Sequence, residues 1–239
     1  MTIPPPGQAP EKGPVVAAMF DRIAPRYDRL NRLLSGGIDV AWRREAVREA
    51  LIDAPDRVLD VATGTADLAL MLKRARPQAE VIGVDFAEAM LAVGRVKAAR
   101  AALEVPLLHG DALSLPFESG RFDAVSVAYG LRNFADVAAG LREMRRVLRT
   151  GGRVVVLEFP PPPSNLAGRA LRWYGRRVMP TIGGWISGDR TAYAYLPAST
   201  EAFLTPVQLD RALEAAGFER VRHRLQSFGV SALHVGVAS

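Results

Sequence analysis

Apolar residues recur along the chain in two textures. Between residues 15 and 34 they stand at Val16, Met19, Phe20, Ile23, Tyr27, Leu30 and Leu34, close to helical spacing, with Pro25 interrupting the run. That pattern predicts two short helices, followed by a third over 38–51. From residue 57 the texture changes to short apolar runs at 57–62, 80–86, 105–110, 122–129 and 153–159, which read as buried strands. Helices are predicted after the first run to Arg76, over 87–102 and over 135–149. Strand, helix and strand in that alternation predict a parallel sheet covered on both faces.

The alternation stops at Phe159. Residues 160–163 are four consecutive prolines, a rigid extended spacer. Beyond them Trp173, Tyr174, Trp185, Tyr193 and Tyr195 are interleaved with Arg169, Arg172, Arg176, Arg177 and Arg190. A helix over 205–217 then precedes two last strands, 218–226 and 231–238, whose short link predicts an antiparallel hairpin. With 239 residues, one core is expected: a disordered tail at 1–13 and a single α/β domain at 14–239. Within that domain, 14–55 form a helical cap and 160–200 an insertion or lid.

Composition narrows the chemistry. No cysteine is present, which excludes disulfides, thiolate metal sites and cysteine nucleophiles together. His109, His223 and His234 are scattered, so no metal site is expected. The formal charge is +6, but only Lys12, Lys73 and Lys97 are lysines, a bias of composition rather than a nucleic-acid footprint. Neither a basic appended domain nor a base-stacking motif is visible, so no nucleic-acid partner is expected. No apolar run reaches the roughly 18 to 20 residues of a membrane span, and the proline-rich start lacks the apolar core of a secretory signal. A cytoplasmic protein follows as the expectation.

Three acids stand at successive strand ends. Asp60 opens the loop Asp60-Val-Ala-Thr-Gly64-Thr65-Ala-Asp67, where the first strand turns into its helix. Open α/β sheets bind ligands at that place. Gly64 is the single glycine in the register where a dinucleotide fingerprint needs three, which disfavours a pyrophosphate. Asp85 ends the second strand, placed to accept ribose hydroxyls, and Asp111 ends the third, placed for an adenine amine. A nucleoside without phosphates fits S-adenosyl-L-methionine better than NAD, with Asp60 near the cationic amino-acid end.

The loop, Asp85, Gly110-Asp111-Ala112 with Leu115-Pro116-Phe117, and Arg149-Thr-Gly-Gly152 resemble a class I S-adenosylmethionine-dependent methyltransferase. More narrowly, Phe20-Asp-Arg-Ile-Ala-Pro-Arg-Tyr27-Asp28-Arg-Leu-Asn31, Trp42-Arg43, Tyr129-Gly-Leu-Arg132-Asn133-Phe134, Leu157-Glu158-Phe159, Tyr193-Ala-Tyr195-Leu196 with Ser199, and Ala232-Leu233-His234 resemble the quinone-biosynthesis C-methyltransferase family. The similarity runs from about Val15 onward. Asp39 and Ala128 depart from it, standing where the family often has histidine and serine.

The resemblance implies a Rossmann-like, seven-stranded, mostly parallel sheet ending in the antiparallel hairpin. It also implies C-methylation of a polyprenyl demethylquinol, demethylmenaquinol to menaquinol first, with a benzoquinol of the ubiquinone pathway or another small molecule as alternatives. Asp60, Gly64, Thr65, Asp85, Phe86, Asp111, Ala112 and Ala128 form the expected cofactor set. Arg132 would stabilise a developing phenolate, Asn133 would orient the hydroxyl, and Tyr27 or Asp28 would handle a proton. The competing reading makes Arg132 a surface residue, Asn133 and Asp28 helix caps and Tyr27 a packing aromatic. For the insertion, peripheral membrane contact at the inner face stands beside a plain lid and a homodimer contact.

Overall fold

A computed structural model of the chain describes residues 12–179, 181 and 190–239. Residues 1–11 of the tail expected at 1–13, and Trp185 of the insertion, lie outside the described residues, while Lys12 and Gly13 belong to the first helix rather than to a tail. The chain enters as α1 (Lys12–Leu34) and α2 (Asp39–Ala50), then alternates β1 (Arg57–Val61), α3 (Asp67–Ala75), β2 (Glu80–Asp85), α4 (Glu88–Arg100), β3 (Leu107–His109) and β4 (Phe122–Ala128). It continues through α5 (Val137–Val147), β5 (Leu148–Glu158), α6 (Leu166–Trp173), α7 (Arg190–Glu201), α8 (Pro206–Ala215), β6 (Phe218–Gln226) and β7 (Ser231–Ala238). The strands form one sheet in the order β3-β2-β1-β4-β5-β7-β6, parallel except for β7, which runs antiparallel to both β5 and β6.

Alternate residues of each strand feed two cores, as the pleat requires. Val58, Val81, Val155 and Leu157 pack with α2, α3 and α4 on one face. Leu59, Ile82, Val154 and Val156 pack with α5 and α8 on the other. Two-sided burial is why the parallel strands read as unbroken apolar runs. β1 pairs with β2 on one side and β4 on the other, so the strand order reverses at β1 and opens a crevice beyond its carboxyl end.

Several boundaries differ from the sequence pattern. α1 is one helix that begins at Lys12 and passes through Pro25. The proline costs one backbone hydrogen bond, but the apolar face continues across it: Ile23 and Leu30 pack with Tyr195, and Ala24 packs with Ala87 and Met90. β3 is shorter than expected because Pro106 precedes it without an N–H and Gly110 ends it, and as the sheet's edge it leaves Leu108 and His109 exposed. β5 is longer: Leu148 already pairs with Phe122, and the ladder resumes at Arg153 opposite Ala124 after the turn at Gly151. The final hairpin keeps the predicted limits, and Thr205 and Gln208 close a capping box on α8.

His223 and His234, which look unrelated in sequence, meet on Asp210 of α8. Both donate through Nδ1 to its carboxylate, His234 at 2.7 Å, and so fasten α8 to the hairpin. Burial depresses the basicity of His234, consistent with a neutral ring donating its one N–H. Among the described residues no helix is long and apolar enough to cross a membrane.

Candidate active site

Backbone strain gathers at the carboxyl ends of β1 and β4. Ala62, Gly64 and Ala66 all adopt positive φ in the loop after β1, and Tyr129 does so directly after β4, at φ 59°. Outside glycine, each such residue costs on the order of 1 kcal/mol or more and persists only where its surroundings fix it. Here Thr63 N–H donates to Val84 O at 3.0 Å and Tyr129 N–H to Leu157 O at 2.7 Å. Gly130 follows Tyr129 because a Cβ there would come within 2.5 Å of the Ala62 Cβ. The two loops can approach this closely only without that carbon.

A cavity of about 170 Å³ opens beside them. Its floor is Ala62, Gly64, Asp85 and Phe86, its far wall Gly110, Asp111 and Ala112, and its near wall Ala128, Gly130 and Asn133. α1 roofs it with Val16, Ala17, Phe20 and Tyr27. Asp85 Oδ2 accepts Gly64 N–H at 2.7 Å and Oδ1 accepts Ala87 N–H at 2.8 Å. Burial raises the affinity of this carboxyl for its proton and the backbone donors oppose that. The Phe86 N–H also acts on this carboxylate, which lines the cleft. Asp111, exposed at the lip, accepts Leu113 N–H at 2.9 Å.

Three expected site residues lie elsewhere. Asp60 is buried beneath the loop, accepts from Thr63 and Ser126 hydroxyls at 2.7 Å each, and does not line the cleft. Burial pushes its carboxyl up to about 6, against those two hydroxyl hydrogen bonds. Thr65 turns away from the cleft and donates to Asp28 Oδ1. Asp28 Oδ2 accepts from Lys97 Nζ at 2.7 Å, and Lys97 also pairs with Asp67. Asp28 therefore faces neither cavity; it ties α1 to the β1 loop and to α4.

A second cavity of about 310 Å³, which sequence reading missed, lies under the cap and the insertion. Its walls are mostly apolar: Met19 and Ile23 of α1, Trp42 of α2, Phe159, Leu171 and Met179. In sequence these residues have the helical spacing of ordinary core. The buried Asp39 and Arg43, an ion pair one turn apart on α2 and also on the wall, were the available signal. Phe20, Tyr27 and Tyr129 line both cavities and form the partition between them.

Arg132 reaches the larger cavity, with Nη1 donating to Glu158 Oε1 at 2.7 Å and to Tyr129 O. It is buried rather than on the surface. Asn133 faces the smaller cavity and accepts the Tyr195 hydroxyl at 3.1 Å. Burial raises the pKa of Tyr27, opposed by the Arg132 charge, an Asn31 hydrogen bond and the Arg43 charge, so its hydroxyl stays protonated at neutral pH.

The model of the ubiE/COQ5 methyltransferase family matches residues 8–238. The chain belongs to that family. The demethylmenaquinone methyltransferases of Thermus thermophilus and Deinococcus radiodurans are 59% and 51% identical to it, over 91% and 98% of this chain and 99% and 96% of theirs. The ubiquinone/menaquinone biosynthesis C-methyltransferase UbiE of Geobacter sulfurreducens is 44% identical over 95% of this chain and 89% of its own. Among solved structures, the [4+2]-cyclase SpnF superposes with a TM-score of 0.71 at 19% identity, covering 99% of this chain and 98% of its own. A SAM-dependent methyltransferase from Thermotoga maritima, titled a possible histamine N-methyltransferase, gives 0.65 at 19% identity, covering 93% and 99%. These two likenesses establish the Rossmann-like methyltransferase fold.

As an S-adenosylmethionine-dependent methyltransferase of this family, the chain has a cleft that fits its cofactor: a buried carboxylate on its floor, the small residues Ala62 and Gly64 beside it and a single loop glycine rather than a glycine-rich phosphate loop. The elevated Asp60 carboxyl has a measurable consequence. A carboxyl whose folded-state pKa is raised stabilises the fold below its unfolded value near 4, and that stability is lost as pH rises through about 6. Urea unfolding is expected to show wild type losing on the order of 2 kcal/mol relative to Asp60→Asn between pH 4 and 7. Parallel pH dependence of the two proteins contradicts the assignment.

Proposed function

We infer that this methyltransferase transfers a methyl group from S-adenosylmethionine to a ring carbon of demethylmenaquinol, giving menaquinol. The carrying observation is the pair of cavities that meet at Phe20, Tyr27 and Tyr129: a smaller cleft with the carboxylates Asp85 and Asp111 on its walls, beside a more apolar chamber nearly twice its size. A prenylated ring needs such a chamber, whereas a small polar substrate does not. Relatives at up to 59% identity carry the demethylmenaquinone methyltransferase name, which favours the naphthoquinol over the benzoquinol.

The bound cofactor supplies an electrophilic methyl on a sulfonium. Asp85 holds the ribose, Asp111 and Ala112 flank the base, Phe86 and Ala128 close the sides, and Gly64 leaves room for the methionine end. Arg132 and Asn133 sit at the junction of the cavities, Arg132 as a fixed cation near the quinol oxygen and Asn133 as an amide held by Tyr195. Tyr27, kept protonated, orients the ring by donating a hydrogen bond. Closing α1 over both cavities excludes water from the methyl and from the activated ring.

The rim of the chamber supports contact with a bilayer. Ser227, Gly229 and Val230 line the chamber, and Phe228 between them is 97% exposed at φ 58°. Trp173, 64% exposed, stands between the lining residues Arg172 and Tyr174. Both aromatics would enter the interface where a prenyl tail leaves the chamber. Arg176 is paired with Glu201 and Arg172 with the Pro162 and Pro163 carbonyls, so aromatics rather than arginines supply the larger share.

Four measurements test this reading. Purified protein is expected to methylate short-tailed demethylmenaquinol, with and without a chelator; Asp85→Ala is expected to weaken S-adenosylmethionine binding by about 2 kcal/mol or more in calorimetric titration. Undiminished affinity in that variant removes Asp85 from the site. Arg132→Lys keeps a charge opposite Glu158 but loses the planar fork, so single-turnover methylation should fall about 100-fold while cofactor affinity stays within about twofold. Flotation with anionic liposomes should drop when Phe228 and Trp173 are both replaced by Ser; unchanged flotation returns the rim to a lid or a dimer contact.

A further inference from the structure

We propose that Asp39 takes the hydroxyl proton of the quinol, with Ser35 and Arg43 holding its carboxylate on the wall of the larger cavity. The proposal rests on the quinol reading above and assigns the base that such a reaction needs.

Among the described residues, two carboxylates line the larger cavity, Asp39 and Glu201. Glu201 is committed through both oxygens to Arg176, with Nε to Oε1 at 3.0 Å and Nη2 to Oε2 at 2.6 Å, on an exposed pair. Asp39 is buried. Its Oδ1 accepts the Ser35 hydroxyl at 2.8 Å and its Oδ2 accepts Arg43 Nη1, which leaves each oxygen one lone pair. Arg43 in turn lies over the Tyr129 ring, 5.3 Å from its centroid. The charges of Asp39 and Arg43 both act on the Tyr129 hydroxyl, and that of Arg43 also acts on Tyr27. The ion pair therefore stands at the partition, where the two cavities meet, rather than at the mouth.

The other polar groups named at the partition are not bases at neutral pH: the Asn133 amide accepts a hydrogen bond but not a proton. Burial raises the pKa of both tyrosines, so they donate, and Arg43 and Arg132 have no acceptor atom. A phenolic hydroxyl ionises near pH 10, and the adjacent ring carbon becomes nucleophilic only as that proton leaves. In the proposed step the quinol O–H bond breaks and its proton goes to Asp39. The oxygen's electron pair is delocalised to the ring carbon, which bonds to the methyl carbon as the carbon–sulfur bond breaks with its pair remaining on sulfur. The ring carbon then loses its hydrogen as a proton to water, and Asp39 returns its proton to the oxygen, for a net release of one proton. The negative charge moves from carboxylate to quinolate beside the same Arg43 cation, so little reorganisation is needed.

The test compares two substrates in single-turnover methylation: short-tailed demethylmenaquinol, and a fluorinated analogue acidic enough to be ionised at the assay pH. Wild type should methylate both; if it methylates neither, the quinol reading itself falls and the proposal with it. Asp39→Asn should lose about 100-fold to 10,000-fold on the ordinary quinol, the range of general-base catalysis, and less than about tenfold on the ionised one. Cofactor affinity should be unchanged, because Asp39 lines only the larger cavity. Equal losses on the two substrates, or no loss on either, overturn the proposal. Since Asp39→Asn strands the Arg43 charge, the double variant Asp39→Asn with Arg43→Gln is measured beside it with a thermal melt. The same selective rescue is expected from a folded double variant, and a uniform loss there overturns the assignment as well.

Discussion

Lys97 holds the cap on the sheet. Its ammonium joins Asp28 of α1, Thr65 of the loop after β1 and Asp67 at the start of α3, from its own place on α4. All the charged partners are about three-quarters buried, so the attraction is screened less than on an open surface, and removing one partner strands the others. Because α1 lines the smaller cleft and also walls the larger chamber, this cluster fastens an element shared by both cavities. Asp21 adds a second fastening by accepting Ala89 N–H at the start of α4, at 3.0 Å.

Stored backbone strain gathers at the partition. Tyr129 adopts positive φ so that its ring leaves the β4 direction and stacks on Phe159, with ring centroids 4.3 Å apart and planes at 17°. The same peptide offers its carbonyl to Arg132, while Glu158 at the end of β5 accepts from the Arg132 side chain and backbone. A buried cation and carboxylate are thus locked together beside the partition between the two cavities, with Arg132 on the wall of the larger one. The pairing fixes the guanidinium of Arg132 in one place and one orientation.

The parallel strands were legible because burial on both faces leaves long apolar runs that few other structures produce. The hairpin was legible from its short link. α1 was not: a proline within helical spacing reads as a break, and only the contacts of Ala24, Ile23 and Leu30 with distant elements keep the helix continuous. Strand-end position put Asp85 and Asp111 on the cleft, yet the same rule placed Asp60 there although its side chain turns under the loop. Which way an acid points at the end of a strand depends on partners such as Thr63 and Ser126, and a linear pattern does not carry that. The chamber was hidden because the wall of an apolar cavity and a packed core share one spacing.

β7 is made after the other six strands but lies inside the sheet, between β5 and β6. Until it has been synthesised, β5 presents an open edge and β6 has no neighbour to pair with. An elongating chain therefore passes through a stage in which Val154, Val156 and Leu157 have a free ladder beside them, the kind of edge that recruits other strands. The inward strand closes the sheet like a keystone set last. The nascent protein thus depends on whatever shields that edge during synthesis, and changes in β6 or β7 should affect yield of folded chain before they affect catalysis.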